Sequence, residues 1–393
     1  MSGIAARGVI QMTLSSFDVA IVGGGPGGSA TALSLRAHAP SLTVVLIEAS
    51  HYEAVRIGET LPPAAKPMLE HLAVWEAFQS QRHREVHGTI AAWGSAALLD
   101  NDFIYMPANT GWHLDRTAFD WMLANEARLQ GATLILDTRV SDAKREGNEW
   151  RLVLSNGHNI AARFIVDATG GTAALARRCG SRFVEADSLV GIARFFECSN
   201  GDPRTLVEAF EDGWWYTSGL QEGRRIIACM TDSDIARRMR LHDAEEWNRK
   251  LAAMSNVGAI ARRGKRCGPV VVRSAGSRRV EPAAGKHWLA AGDSASRFDP
   301  LSSQGILKAL RSGIFASYAI GDLLTRDDES GLDRYRRYVM EEFRNYAEVR
   351  AKYYREEQRW PASEFWRRRH REVKPRHLKT CSQAEDIGKK LTV

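Results

Sequence analysis

The sequence predicts an α/β fold with three parts: a mainly parallel sheet around a glycine-rich turn, an inserted sheet that is mostly antiparallel, and a helical C-terminal region. Three observations predict it. Phe17–Val22 is an apolar run that ends in "GGGPGG" and leads into an Ala/Leu-rich stretch. From about Val184 to Val272 the pattern changes to short aromatic and β-branched runs, and from Gln304 onward the spacing is that of long helices. At 393 residues and 44% hydrophobic, the chain can bury a sizeable core.

Taken in order, residues 1–16 read as an N-terminal extension without the apolar run of a signal peptide. No window approaches the ~20 apolar residues of a membrane helix. A soluble, cytoplasmic protein with no membrane partner is expected. Ser29–His38 is helical and is stopped by Pro40; Thr43–Ile47, "TVVLI", is the next buried strand and completes a β-α-β unit. One helix is expected over roughly Ala64–Phe78. Another starts at Asp115 with an acidic N-terminal turn and ends before Gly131. Short strands follow in "ATLILDTRV" and "EWRLVLSNGHNIAARFIVDATG", where Asn156-Gly157 signals a hairpin. "SLVGIARFFE", "RTLVEAFEDGWWYTSGL" and "RRIIACMTD" read as an inserted antiparallel sheet, and "HWLAAGDSA" returns to the first domain. The expected nucleotide-binding domain is 17–183 with 273–325. The β-rich substrate domain is 184–272, with part of its site from 80–112, and 326–393 is helical with a basic tail.

The net charge of +7 and pI near 9.2 lean toward acidic partners, and much of the excess lies in "RWPASEFWRRRHREVKPRHLK". That stretch is either a docking surface or a solvated helix face. No nucleic-acid partner is expected. Cys179, Cys198, Cys229, Cys267 and Cys381 are odd in number, with neither a C-x-x-C pair nor metal-like spacing, so reduced thiols and no metal site are expected.

Gly23-x-Gly25-x-x-Gly28 fits the dinucleotide fingerprint in its full Rossmann-like context of strand, turn and helix. Gly23 allows the tight turn, Gly25 lets the backbone approach a pyrophosphate, and Gly28 lets helix and strand pack closely. Glu48, at the end of the second strand, is placed to accept from ribose hydroxyls. No second such motif follows a strand, so no dedicated NAD(P)H domain is expected.

Downstream, Gly292-Asp293 follows an apolar strand and resembles the motif with which FAD-dependent monooxygenases hold the ribityl chain; "FIVDATG", with Asp167 and Gly170, resembles their second strand-end motif. With "GGGPGGSA", "RIGETLPP", "LDRTAFDWML", "DGWWYTSGL" and "GDSASRFDPLSSQGI", the chain resembles the superfamily of flavin-dependent tryptophan halogenases and aromatic monooxygenases over most of its length. The resemblance implies an FAD-binding fold of the aromatic hydroxylase type. It assigns flavin contacts to Arg56, Gly58 and Glu59 in a strap, to Arg116 and Val140, and to Pro300, Gln304 and Gly305 beneath the ring.

Halogenation in that family requires a lysine in the strand after the strap, a glutamate in the "DPLxSxG"-like loop and a W-x-W-x-I-P motif. Here "REVHGTIAAWG" holds no lysine and His87 stands in its place; Ser302, followed by Ser303, stands for the glutamate; and "GWWYTSGL" replaces the tryptophan motif. The resemblance then implies oxygen transfer from a flavin C4a-hydroperoxide to an electron-rich ring. His87, Ser302 and Ser303 are the catalytic candidates, and Trp214, Trp215 and Tyr216 are an aromatic wall for the substrate. The plainer alternatives are a structural histidine, with His83 close enough to compete, a serine-rich helix cap and an aromatic sheet core. The closest resemblance is to flavoproteins that mature tryptophylquinone enzymes, which implies a tryptophan in a partner protein or peptide as substrate. FAD and O2 are implied, with NAD(P)H acting directly or through a separate flavin reductase. Rival readings are a hydroxylase of a small free aromatic, a halogenase, and a non-catalytic assembly factor.

Overall fold

A computed structural model describes residues 14–54, 56–103, 109–185, 187–198 and 201–371. Much of the basic tail, with Cys381, lies outside them. Leu14–Val22 forms the middle of an eight-stranded sheet, parallel to Val44–Ile47 on one side and to Asn159–Asp167 on the other. Val19, Ala20 and Ile21 are wholly buried, as expected of a strand covered on both faces. The Asn156-Gly157 turn joins Glu149–Leu154 to Asn159–Asp167 in an antiparallel pair. Trp288–Ala290 returns parallel to Asn159–Asp167. The helices Pro26–His38 and Gly305–Arg326 pack on each other, with Ser317 Oγ donating to Ser34 Oγ at 2.7 Å across the contact.

The helix beginning after Asp115 runs Arg116–Leu129, and the Asp115 carboxylate accepts from the amides of Thr117 and Ala118 as an N-cap. The single helix expected over Ala64–Phe78 is instead two, Lys66–His71 and Trp75–Ser80. Ala73 takes a left-handed φ of 55°, and the Val74 amide closes back on the Leu69 carbonyl. That turn buries Leu69, Leu72, Val74 and Phe78 together, which a continuous helix would not.

A second sheet has seven strands in the order Lys265–Ser274, Leu189–Glu197, Arg224–Asp232, Gly213–Gly219, Thr205–Phe210, Gly88–Ala92, Leu99–Asp102. All its neighbours are antiparallel except Thr205–Phe210 and Gly88–Ala92, which run parallel and stitch an N-terminal hairpin to the inserted strands. The strap leads into a small sheet of Thr60–Leu61, Gly111–His113 and Arg84–Val86. Helices Ser330–Glu356 and Glu364–His370 close the molecule; Phe365 and Trp366 are wholly buried against the second sheet. Cys179, Cys198, Cys229 and Cys267 are unbridged. No helix among the described residues is long and apolar enough to cross a membrane.

Candidate functional site

The glycine turn has the geometry a dinucleotide needs. Gly23 has φ +111°, and a Cβ there would lie 2.1 Å from the Ala168 carbonyl oxygen; one on Gly28 would lie 1.9 Å from that of Gly23. A Cβ on Gly25, by contrast, would meet nothing within 4 Å, and the helix it opens has no side-chain cap. Free amides therefore face open space at the positive end of a helix, the environment that suits a pyrophosphate.

Glu48 is buried beside this turn. Its carboxylate accepts from the Gly24 amide at 2.7 Å, from Ser50 Oγ at 2.5 Å and from Arg56 at 3.2 Å, so the acid is fixed in place at the strand end. Asp167 turns inward. It accepts from Thr169, Leu175 and Ala176, and so shapes the loop carrying Gly170 rather than offering its carboxylate outward. Val140 is half-buried at the start of its strand and packs against the main core.

The strap is held by a carboxylate that sequence reasoning missed. Asp120, fully buried, takes Arg56 at 2.7 Å and both Nε and Nη2 of Arg116 at 3.1 and 3.0 Å. Arg116 also donates to the carbonyls of Ile57 and Gly58. It is thereby a brace under the strap, and burial, which alone would lower its pKa, is outweighed by Asp120, which raises it. Glu59 is buried; burial pushes its carboxyl above the usual range, with the Gly58 amide and Ser218 as partners.

Asp293 stands half exposed after Gly292, and Lys308 Nζ donates to it at 2.7 Å and to the Ser296 carbonyl. Lys308 has no exposed surface at all. It too was missed. The sequence signal for both residues is a charge at an apolar position of a helix: Asp120 lies four residues after Arg116, and Lys308 falls inside "GILKAL".

Pro300 begins a short 3-10 turn capped by Asp299, and Ser303 follows with φ +50°. Ser302 Oγ donates to the Asp299 carbonyl at 2.9 Å. Gln304 and Gly305 are exposed; Ser302 Oγ accepts from the Gln304 amide at 3.3 Å, while the 22-residue helix that follows has no side-chain cap of its own, so the plainer alternative of a serine cap reaches no further than Gln304. A Cβ on Gly305 would meet nothing within 4 Å, leaving free amides toward open space. Behind this turn Asp299, fully buried, accepts from Arg350 at 3.0 Å and Tyr354 Oη at 2.8 Å.

The three aromatic candidates are not one wall. Successive residues of a strand point to opposite faces, so Trp214 and Tyr216 share a face and Trp215 takes the other. Trp215 is wholly buried against Trp247 and Phe210. Trp214 is also buried, its indole N–H donating to Tyr354 Oη at 3.0 Å. Tyr216 and Trp214 belong to a cluster against which Ile57 of the strap and Leu301 of the serine turn pack. The strap, the serine turn and one face of the second sheet thus converge.

His87 is exposed between Arg84–Val86 and Gly88–Ala92, with Nδ1 3.4 Å from the Asn109 carbonyl. His83 is structural: buried, it bonds Gln81 and accepts from the Asp115 amide, and burial pulls it down to about 4. Among the described residues no cluster of His, Cys, Asp or Glu could hold a metal ion.

The open glycine turn, the second open helix start and the half-exposed Asp293 fit FAD. LodB of Marinomonas mediterranea, described as an FAD-dependent oxidoreductase, is 29% identical over 91% of this chain and 98% of its own length. Among solved structures, the flavin-dependent halogenase CmlS superposes with TM-score 0.81 at 26% identity, over 91% of this chain and 68% of that one. The peptidyl tryptophan dihydroxylase QhpG, essential for tryptophylquinone cofactor biogenesis, superposes with TM-score 0.69 at 23% identity, over 90% and 79%. The tryptophan halogenase family model matches residues 18–95 and 89–387, and the chain belongs to that family of FAD-dependent oxidoreductases.

Proposed function

We propose that this protein is an FAD-dependent monooxygenase that hydroxylates a tryptophan side chain in a partner polypeptide. The observation that carries the reading is the pair His87 and Ser302 at the positions where the family resemblance puts an ammonium and a carboxylate. An imidazole in water and a hydroxyl already given to the Asp299 carbonyl do not reproduce the pair that captures and directs an activated halide. The likeness to QhpG supports a polypeptide substrate.

Bound FAD, once reduced, supplies the activation of O2; the electrons come from NAD(P)H directly or through a flavin reductase. The chain's own residues do the rest. The amides of the helices starting at Pro26 and Gly305 bind negative charge, and Arg116 and Asp120 fix the strap. Tyr216, on the face that meets Ile57 and Leu301, orients the ring, and Glu59 beside it is a buried acid whose raised pKa suits proton donation. The apolar cluster excludes water.

Halogenation is the second reading, favoured by the family match and by CmlS. One experiment separates them: holoenzyme, reductant, oxygen and bromide are mixed with tryptophan-containing peptides, and the products are weighed. The expected product gains one or two oxygen atoms on tryptophan. A bromine isotope doublet establishes halogenation instead, and oxidation confined to free indoles or phenols overturns the polypeptide substrate.

A further inference from the structure

From Trp247 to Val280 the chain carries nine Lys and Arg and no Asp or Glu. In the middle of this stretch lies Lys265–Ser274, a ten-residue strand at the rim of the second sheet, paired among the described residues only with Leu189–Glu197. Its register on Leu189–Glu197 breaks at residues 268–270, where Gly268 has φ +67° and Pro269 carries no N–H, so one row of backbone donors and acceptors is open on either side of that bulge, over Lys265–Cys267 and Val271–Ser274, as a template for a further strand. Arg262, Arg263, Lys265, Arg266 and Arg273 are all exposed, and none makes an ion pair among the described residues. Between them "PVVV" supplies β-branched residues, with Val272 46% exposed. Glu197, opposite Lys265, is the acid nearest in register.

The rim is aligned with the candidate site. Val271 pairs with Ala193, Ala193 with Ala228, and Ala228 with Tyr216; one row along, Arg273, Gly191, Met230 and Trp214 line up in the same way. Val271 and Arg273 thus share a sheet face with Tyr216 and Trp214. With strands ~4.8 Å apart, a chain added at the rim lies about 19 Å from the aromatic strand, a span that about six extended residues cover.

We propose that Lys265–Ser274 is a docking edge for an extended, acidic segment of the protein substrate, which adds to the sheet as an eighth strand. The proposal rests on the polypeptide-substrate reading above and names the part of the substrate that is held away from the reacting ring. Charge decides the occupant: a second copy would bring its own cations to the same edge and be repelled, whereas an acidic strand neutralises them while its backbone completes the ladder.

The test is binding, independent of turnover. A fluorescein-labelled decapeptide alternating Glu with Thr and Val is titrated into the full-length holoenzyme by anisotropy, beside a Lys counterpart and an acidic peptide N-methylated at alternate residues. The acidic peptide is expected to bind, to weaken about fivefold from low to physiological salt, and to protect amides within 265–274 from hydrogen exchange. Arg266→Glu with Arg273→Glu, both exposed positions, is expected to weaken it about tenfold, with flavin content unchanged. Equal binding of the N-methylated peptide, or of the wild-type peptide to the charge-reversed protein, overturns strand addition at this edge; so does the absence of binding at low salt. Hydroxylation of a short tryptophan peptide lacking the acidic segment persists in the charge-reversed protein, so loss of docking and failure of the polypeptide-substrate reading give different results.

Discussion

Lys308 and Asp120 each bring a full charge into a place with no water, which is costly unless a partner meets it. In both cases the partner belongs to the candidate flavin cradle: Asp293 for Lys308, Arg56 and Arg116 for Asp120. Lys308→Met leaves Asp293 without the ammonium that aims it. We expect FAD to bind about tenfold more weakly, about 1.4 kcal/mol, when the apoprotein is titrated with FAD, while the fold is kept because methionine fills the same volume. Unchanged affinity would show that Asp293 needs no brace. Each charge leaves only one trace in sequence, its place at an apolar position of a helix. A lysine in an Ala/Leu-rich helix reads as a solvent-facing residue until Asp293, the Ser296 carbonyl and the Phe298 ring are seen gathered around its ammonium. The glycines were legible because their role is backbone geometry, set locally. Asp167 and Glu48 were legible in position but not in orientation: Asp167 is turned inward by Thr169, Leu175 and Ala176 just after it, and Glu48 is shared among Gly24, Ser50 and Arg56.

Among the elements, the C-terminal helix Glu364–His370 has the most leverage for its length. Arg369 meets Asp232 at 2.7 Å with both side chains almost wholly buried, and its guanidinium lies 3.5 Å from the Phe365 ring centroid. Burial alone would raise the Asp232 carboxyl, but Arg369 and Arg368 hold it below the usual range. Arg369→Met leaves that carboxylate with Arg368 alone, at 2.8 Å, and is expected to cost about 1.5–3 kcal/mol, read as a lower denaturation midpoint. Asp232→Asn with Arg369→Met removes both charges and is expected to recover much of the loss. The strand Gly213–Gly219 shows where element-level reading fails. "GWWYTSG" reads as three aromatics in a row, yet period-two alternation deals them to two cores, and which core meets the flavin side depends on strap and serine-turn contacts that no local pattern contains. The helix expected over Ala64–Phe78 failed for a related reason: Ala73 takes a backbone conformation that alanine rarely adopts, and tertiary burial of its neighbours enforces it.

For the molecule as a whole, the α/β plan followed from apolar periodicity and the position of the glycine turn, because those signals come from burial on two faces. The parallel joint between Thr205–Phe210 and Gly88–Ala92 did not, since strand partners far apart in sequence leave no local trace. Global stability also carries a proton balance. His83 and His113 are both pulled by burial from 6.5 to about 4; His113 is held between the Gly219 carbonyl and Thr205 Oγ1. Between those values the unfolded chain binds protons that the native protein refuses. Their contribution is complete above about pH 6.5 and is lost as the pH falls toward 4, by about 3 kcal/mol for each ring. Buried Glu59 and Asp187, whose pKa values are raised, act in the opposite sense, so the histidine share is isolated by difference. Urea denaturation at pH 5 and 7 should show a smaller pH dependence for His83→Gln than for the wild type; equal slopes would remove His83 from the balance.

That same parallel joint sets a timetable for the nascent polypeptide. The hairpin at Gly88–Asp102 leaves the ribosome long before Thr205–Phe210 is translated, so one of its edges must wait, unpaired, for a strand not yet made. A chain arrested between the two would present that edge to chaperones or to its neighbours on the same message, and a heat-shock response to slowed elongation in that interval would be its cellular signature.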